Sequence, residues 1–406
     1  MRDRTNLNAA MATLRSALAA QTSTEPRDWF PVFKARYGMQ VVFDALREVH
    51  GEGEVVTQLF TCCTAVDPIL AAGLTPAYAD VSARALCVDP GHLPLSERTL
   101  ALVDQHTFGI FDESVDARLA SLCRSRSMLL VEDNAHSVAR LGRAGGRPIA
   151  DVSVHSFGIE KMLPTYFGGA IWLNPNMEDR QLRAAMVERF RALEPIDERL
   201  SRAVRAYPLQ IRALNRLPHN LAHASREKGI ERGRFEPGVA DAERAGKLPY
   251  EPMLPNEAIM RTAARALRGL GAIEQVRTAC AEAYAAVFAE LASPKVVVPA
   301  AVMEQGGSLP LLRFPAFVPT AQHADAVIRA VGEMGYLAQA WYRPLLIPGA
   351  LDPAAYGYDP ALPNLPLTKR LSEGAVALPC DVPAAAARRI AEIVVTAAEA
   401  EDPEQL

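Results

Sequence analysis

The chain has 406 residues, half of them hydrophobic, which is enough to bury a large core and excludes a small scaffold that needs staples to fold. A net charge of −4 gives no broad attraction to nucleic acid. The six cysteines, Cys62, Cys63, Cys87, Cys123, Cys280 and Cys380, contain no C-x-x-C pair, so reduced thiols are expected rather than a disulfide framework or a metal site.

Residues 1–30 read as an N-terminal extension. The stretch MRDRTNLNAAMATLRSALAAQ has no continuous apolar core of a secretory signal and suits a short amphipathic helix. No segment reaches the ~20 apolar residues that span a bilayer, so a cytoplasmic protein without membrane contact is expected. From 37 to 174, short apolar runs alternate with helix-length spacers such as 112–125. Strands are expected at 54–59, 75–81, 100–106, 128–133, 152–157 and 169–174. This alternation implies an α/β fold with a mainly parallel central sheet covered on both faces, whose ligands sit at the carboxyl ends of the strands.

A large domain is expected over 31–255. Within it, 179–245 departs from the alternating pattern and is rich in Arg, Ala and Leu, as in QLRAAMVERFRALEP. It reads as one or more exposed helices. Its arginines, among them Arg189, Arg191, Arg232 and Arg234, are either a solvated face or a grip on an anionic partner. Residues 256–406 read as a linking helix and a smaller α/β domain. A helix is expected over 257–291, strands over 295–300 and 309–318, and a helix over 320–334. Another apolar run follows at 336–342, and a helix closes the chain from 383.

Three residues carry the chemistry. Asp133 ends the strand MLLVED, Ser156 ends VSVHS, and Lys161 follows five residues later. An acid, a hydroxyl and a lysine at strand ends are the set that pyridoxal phosphate (PLP) requires. The amine forms a Schiff base with the cofactor and later shuttles a proton. The carboxylate keeps the pyridine nitrogen protonated, and the hydroxyl, with N–H groups at a helix N-terminus, holds the phosphate. The segment YGMQVVFDAL offers such a terminus, with Gly38 just ahead of its apolar face. His106 and His155 lie near strand ends; His155 reads as structural, and His106 suits either a structural or a site role. The glycines in GRAGGRP read as a turn, and no P-loop or HExxH is present.

The runs FTCCTAVDPILAAGLTPAYADV, VDQHTFG, VEDNAHSVAR and ADVSVHSFGIEKMLPTYFGGAIWLN resemble the DegT/StrS family of sugar-nucleotide aminotransferases. The likeness is strong over 56–174, fair at the C-terminus and poor over 179–245. It implies the fold-type-I PLP-enzyme fold and assigns Lys161 as the Schiff-base lysine and Asp133 as the pyridine partner. It also sets His136 beside the ring, Ser156 on the phosphate and Gly38, Met39 and Gln40 on the phosphate turn. Met39 stands where the family has a threonine, and Cys62 where an aromatic residue stacks on the ring. Tyr250 and Pro252 fall near a family motif that reaches the partner subunit's cofactor. The resemblance implies a homodimer with shared active sites. It also implies amino transfer from glutamate or glutamine to a keto group of a sugar nucleotide or related metabolite. The alternatives are another PLP reaction (elimination, decarboxylation or condensation) or a PLP-binding protein without turnover.

Overall fold

The computed structural model describes residues 2–403. A helix, α1 (Arg2–Thr22), leads into β1 (Trp29–Val32) and α2 (Ala35–His50). Then come β2 (Glu54–Thr57), α3 (Cys63–Ala71), β3 (Thr75–Tyr78), β4 (Thr99–Gln105), α4 (Glu113–Ser125) and β5 (Leu129–Asn134). A small hairpin, β6 (Arg143–Ala144) and β7 (Arg147–Pro148), precedes β8 (Val152–Ser156) and β9 (Gly169–Leu173). The Arg-rich region folds as α5 (Arg180–Arg191), α6 (Glu198–Leu214), α7 (His219–Glu231) and α8 (Asp241–Arg244). The expected long helix is two: α9 (Glu257–Leu267) and α10 (Leu270–Leu291). The rest is α11 (Ala300–Glu304), β10 (Arg313–Phe317), α12 (Ala321–Glu333), α13 (Pro366–Glu373), β11 (Ala375–Pro379) and α14 (Ala384–Glu399). Among the described residues no helix is long and apolar enough to cross a membrane.

The central sheet has the order β1-β9-β8-β5-β4-β2-β3. Its neighbours from β8 to β3 pair in parallel, and β9 runs against both of its neighbours. All six strands expected between 54 and 174 are present, because strands buried on both faces read as nearly continuous apolar runs. Alternation along β5 sends Val131 to one face and Leu130 to the other. One face packs against α2 and α5 through Val42, Leu46, Met186 and Phe190. The opposite face is covered by α4 through Val115 and Leu119, and at the β1–β9 edge by α1 and α9 through Leu14, Leu18, Met260 and Ala263. The run 295–300 is no strand; it makes one bridge, Val297 to Phe317. The run 336–342 likewise bridges only through Gln339 to Ala377.

Two glycines press α2 onto the sheet. A Cβ at Gly38 would meet the Ile171 side chain at 2.5 Å. A Cβ at Gly169 would lie 2.8 Å from the Cα and N of Ala35 and from the carbonyl oxygen of His155. The N-terminus of α2 therefore sits directly against β9, beside the strand end that carries Ser156. Side chains can rotate away, but backbone cannot. Gly169→Ala is expected to cost about 1–3 kcal/mol, measured as a fall in urea-unfolding free energy. An unchanged midpoint would mean that α2 is not seated by this contact.

Candidate active site

A cavity of about 520 Å³ opens at the carboxyl ends of the central strands. Asp133 from β5 and Ser156 from β8 lie on its wall, with Lys161 from the loop after β8. The first turns of α2 and α3 border it, through Ala35, Arg36 and Cys62. The outer wall includes Tyr166, Tyr207, Arg226 and Trp341.

Burial lowers the Lys161 pKa from its ordinary value, and Arg36 pushes the same way; the negative potential of Cys62, Asp133 and Glu160 opposes them. A lowered lysine pKa raises the fraction of neutral, nucleophilic amine. Asp133 is shifted in the opposite sense by the same cause. Burial raises its pKa, while the Ala135 N–H, which donates to Oδ1 at 2.9 Å, and Lys161 hold it down. A cation placed against this carboxylate would offset its burial cost.

His136 is buried and burial pushes its pKa well below the ordinary value, with Lys161 adding to the shift, so its ring is neutral. Its Nδ1 accepts the Phe108 N–H at 2.9 Å, which puts the ring proton on Nε2, 3.3 Å from the Tyr342 hydroxyl. The Trp341 ring stacks on it with centroids 5.7 Å apart. Cys62 is the N-cap residue of α3, and its thiol accepts the Thr64 hydroxyl at 3.1 Å. A hydrogen bond from the Cys63 thiol lowers its pKa against burial, with Arg36, Thr64 and Lys161 adding to the shift. Ser156 Oγ accepts the Gly158 N–H at 3.3 Å. The donor set fits PLP: an amine and a carboxylate in one cavity, a flat neutral imidazole, and a hydroxyl beside the first turn of a helix with no side-chain cap.

Several expected site residues lie elsewhere. α2 begins at Ala35, earlier than the phosphate turn expected at 38–40, because Lys34 takes the N-cap position without being a typical capping residue. Gly38, Met39 and Gln40 therefore fall at the end of the first turn and in the second. Met39 reaches the cavity, whereas Gly38 faces Ile171, and Gln40 is buried away from the cavity. His106 does not line the cavity either; its Nε2 is 2.8 Å from Glu132 Oε1, and its ring stacks on Phe111 at 3.8 Å. His155 is buried, receiving the Ala139 N–H on Nδ1 at 3.2 Å and meeting Ser153 through Nε2. Tyr250 packs beside Phe33 and Tyr37 and donates to Glu236 Oε2 at 2.9 Å. Arg232 and Arg234 are exposed and off the cavity, and Arg189 pairs with Glu48 on the surface. The arginine of this region that does line the cavity is Arg226 of α7, lying over the Phe235 ring at 5.5 Å. Lys34, Arg36, Gln105, Tyr166 and Tyr207 also line it and were not singled out from sequence. A basic pair just ahead of an amphipathic helix was the legible signal for the first two; Arg226 sits on a helix whose sequence distinguishes no face.

The fold is α/β with a mainly parallel central sheet, and comparison with known proteins agrees on it. Residues 35–197, less than half of the chain, match the model of the DegT/DnrJ/EryC1/StrS aminotransferase family. A Micromonospora echinospora protein, provisionally assigned as an L-glutamine:3-amino-2,3-dideoxy-scyllo-inosose aminotransferase, is 33% identical over 125 residues, 30% of this chain and 29% of that protein. The spore coat polysaccharide biosynthesis protein SpsC of Bacillus subtilis (strain 168) is 34% identical over 122 residues, 29% of this chain and 31% of SpsC. The matched segment is thus under a third of either relative's length. Similar solved structures cover nearly the whole chain. DesI with its TDP-sugar product gives a TM-score of 0.66 at 20% identity, over 96% of this chain and 85% of DesI. The aminotransferase TlmJ from Streptoalloteichus hindustanus gives 0.66 at 22%, over 96% and 90%. NtdA from Bacillus subtilis, with bound cofactor PMP, gives 0.66 at 14%, over 96% and 77%. At these identities the likeness is one of fold.

The His106–Glu132 pair behind the site generates a prediction. Burial pulls the His106 pKa down, but Asp116, Glu132 and Asp104 outweigh it and raise it to about 10. The folded value is above the free one. The contribution to stability is therefore complete below pH ~6.5 and is lost as pH rises toward about 10. His106→Gln leaves Glu132 buried without its cation and is expected to cost about 3–5 kcal/mol at pH ~6, with a smaller deficit at pH ~9.5. Urea unfolding at the two pH values measures this. An equal deficit at both would show that the histidine is not charged.

Proposed function

We propose that this protein is a PLP-dependent aminotransferase that moves an amino group from glutamate or glutamine to a keto group of a sugar nucleotide or related metabolite. The observation that carries the reading is a lysine with a lowered pKa sharing one cavity with a buried carboxylate at the sheet edge. When bound, the cofactor supplies an electron sink for the charge left as a substrate C–H bond breaks. Asp133 holds the positive charge at the pyridine nitrogen. Lys161 would supply the amine that anchors the cofactor, and once freed its Nζ would take the proton from the donor's α-carbon in one half-reaction and give one to the acceptor carbon that receives the amino group in the other. His136, fixed by Phe108 and Tyr342 and neutral, presents a flat face without adding charge. Ser156 and the first turn of α2 receive the phosphate.

The donor rests on the name of the Micromonospora relative, and the acceptor on the sugar bound to DesI. Arg226, Tyr166 and Tyr207 at the cavity mouth suit an acceptor that carries an anionic group. A homodimer with shared sites is what the family resemblance implies, and sedimentation tests it.

Borohydride reduction of protein mixed with PLP, followed by peptide mapping, is expected to label Lys161; a label on another lysine would remove it from the role. Lys161→Ala and Asp133→Asn should each lower turnover by about 10²–10⁴-fold while unfolding like the wild type. Arg226→Ala is expected to raise the acceptor KM about tenfold and leave the donor half-reaction unchanged. Equal loss in both half-reactions would put Arg226 in the fold instead.

A further inference from the structure

Two cations that the reaction does not use stand at the N-terminus of α2. Lys34 is its N-cap residue, 6% exposed, and Arg36 lies in its first turn; both line the cavity. Each is tied to a strap formed by residues 236–243. Lys34 Nζ donates to Glu236 Oε1 at 2.5 Å and to the Pro237 carbonyl at 3.1 Å. Arg36 pairs with Glu243 and donates to the Gly238 carbonyl at 3.0 Å. The strap carboxylates are themselves held: Tyr250 donates to Glu236 Oε2 at 2.9 Å, and the Ala240 N–H to Glu243 Oε2 at 2.6 Å. These bonds leave an ammonium hydrogen of Lys34 over, and most of the guanidinium fork of Arg36.

Cations buried at the positive end of a helix are costly, and nothing in the packing of α2 demands them. Burial and Arg36 lower the Lys34 pKa against the pull of Glu236 and Glu243, while Glu243 outweighs burial and raises that of Arg36, and both side chains line the cavity. A phosphate monoester is the ligand that suits spare ammonium and guanidinium donors beside a helix N-terminus and a serine hydroxyl. The strap lies outside the segment that matches the family, and every group involved belongs to one chain.

We propose that Lys34 and Arg36 form a phosphate grip, braced by Glu236 and Glu243, so that the same two cations hold the cofactor phosphate and the strap. The proposal rests on the PLP reading. It predicts that phosphate recognition and strap closure are one event, since the same two cations serve both.

The test compares PLP with pyridoxal, which lacks the phosphate. Charge-neutral double variants, Lys34→Met with Glu236→Gln and Arg36→Met with Glu243→Gln, leave no buried carboxylate unpaired. Each should weaken PLP binding about tenfold or more, read by cofactor absorbance, and leave pyridoxal binding unchanged. Equal loss for both ligands, or loss for neither, overturns the grip. A second measurement needs no variant. Hydrogen exchange at 236–243 in the wild type should slow with PLP and with inorganic phosphate but not with pyridoxal; unchanged exchange overturns the proposal. A wild type that binds neither PLP nor pyridoxal, while phosphate still slows exchange in the strap, would sink the PLP reading and leave the grip standing.

Discussion

A lysine amine and a carboxylate buried in one cavity cannot each be left as an unpaired charge, and the cavity is arranged around that constraint. The parallel sheet answers it by geometry. Its strands end on one edge, so acid, hydroxyl and lysine from separate parts of the chain converge there without long loops. The helices that follow the strands point their N-termini at the same edge, which makes it a place where an anion is welcome. Asp133 and Lys161 moderate each other's shifts, and Trp341 and Tyr342 from the C-terminal part of the chain line the same cavity.

Alternation along β5 then separates two neighbouring acids. Asp133 faces the cavity and keeps an oxygen for it. Glu132 faces the other way and accepts from His106, from the Ser153 hydroxyl and from the Gly142 N–H. Burial would raise its pKa, but these partners lower it, so it stays a carboxylate. The result is a charged network behind the site that fixes the end of β5 without touching a ligand.

The sheet, and the placement of Asp133, Ser156 and Lys161 at one end of it, were legible because burial on both faces writes strands as apolar runs, and because a residue after such a run must lie at its carboxyl end. What sequence missed has particular causes. β1 is four residues, Trp29–Val32, with a proline inside, which periodicity does not register. The runs at 295–300 and 336–342 are apolar but pair only through single bridges; Val297 is exposed, and Trp341 and Tyr342 pack on Phe108 and His136 rather than in a sheet. The start of α2 was displaced because Lys34 resembles no common cap. His106 was open between two roles until its partner Glu132, distant in sequence, was seen beside it. Arg226 could not be distinguished from its neighbours, because α7 is polar on every side and only the tertiary path of 198–245 turns that residue to the cavity.

That path has an evolutionary reading. The helices between β9 and α9 reach the cavity through few side chains, chiefly Tyr207 and Arg226, while the reactive centre is built on the sheet. An appendage attached in this way can be exchanged between relatives, or redesigned as a cassette, without resetting the reactive centre. Change at the cavity mouth would then proceed by swapping one peripheral module, and chimeras joined in the loop after α5 and in the loop after α7, ahead of the strap at 236–243, are the natural units for transplanting it.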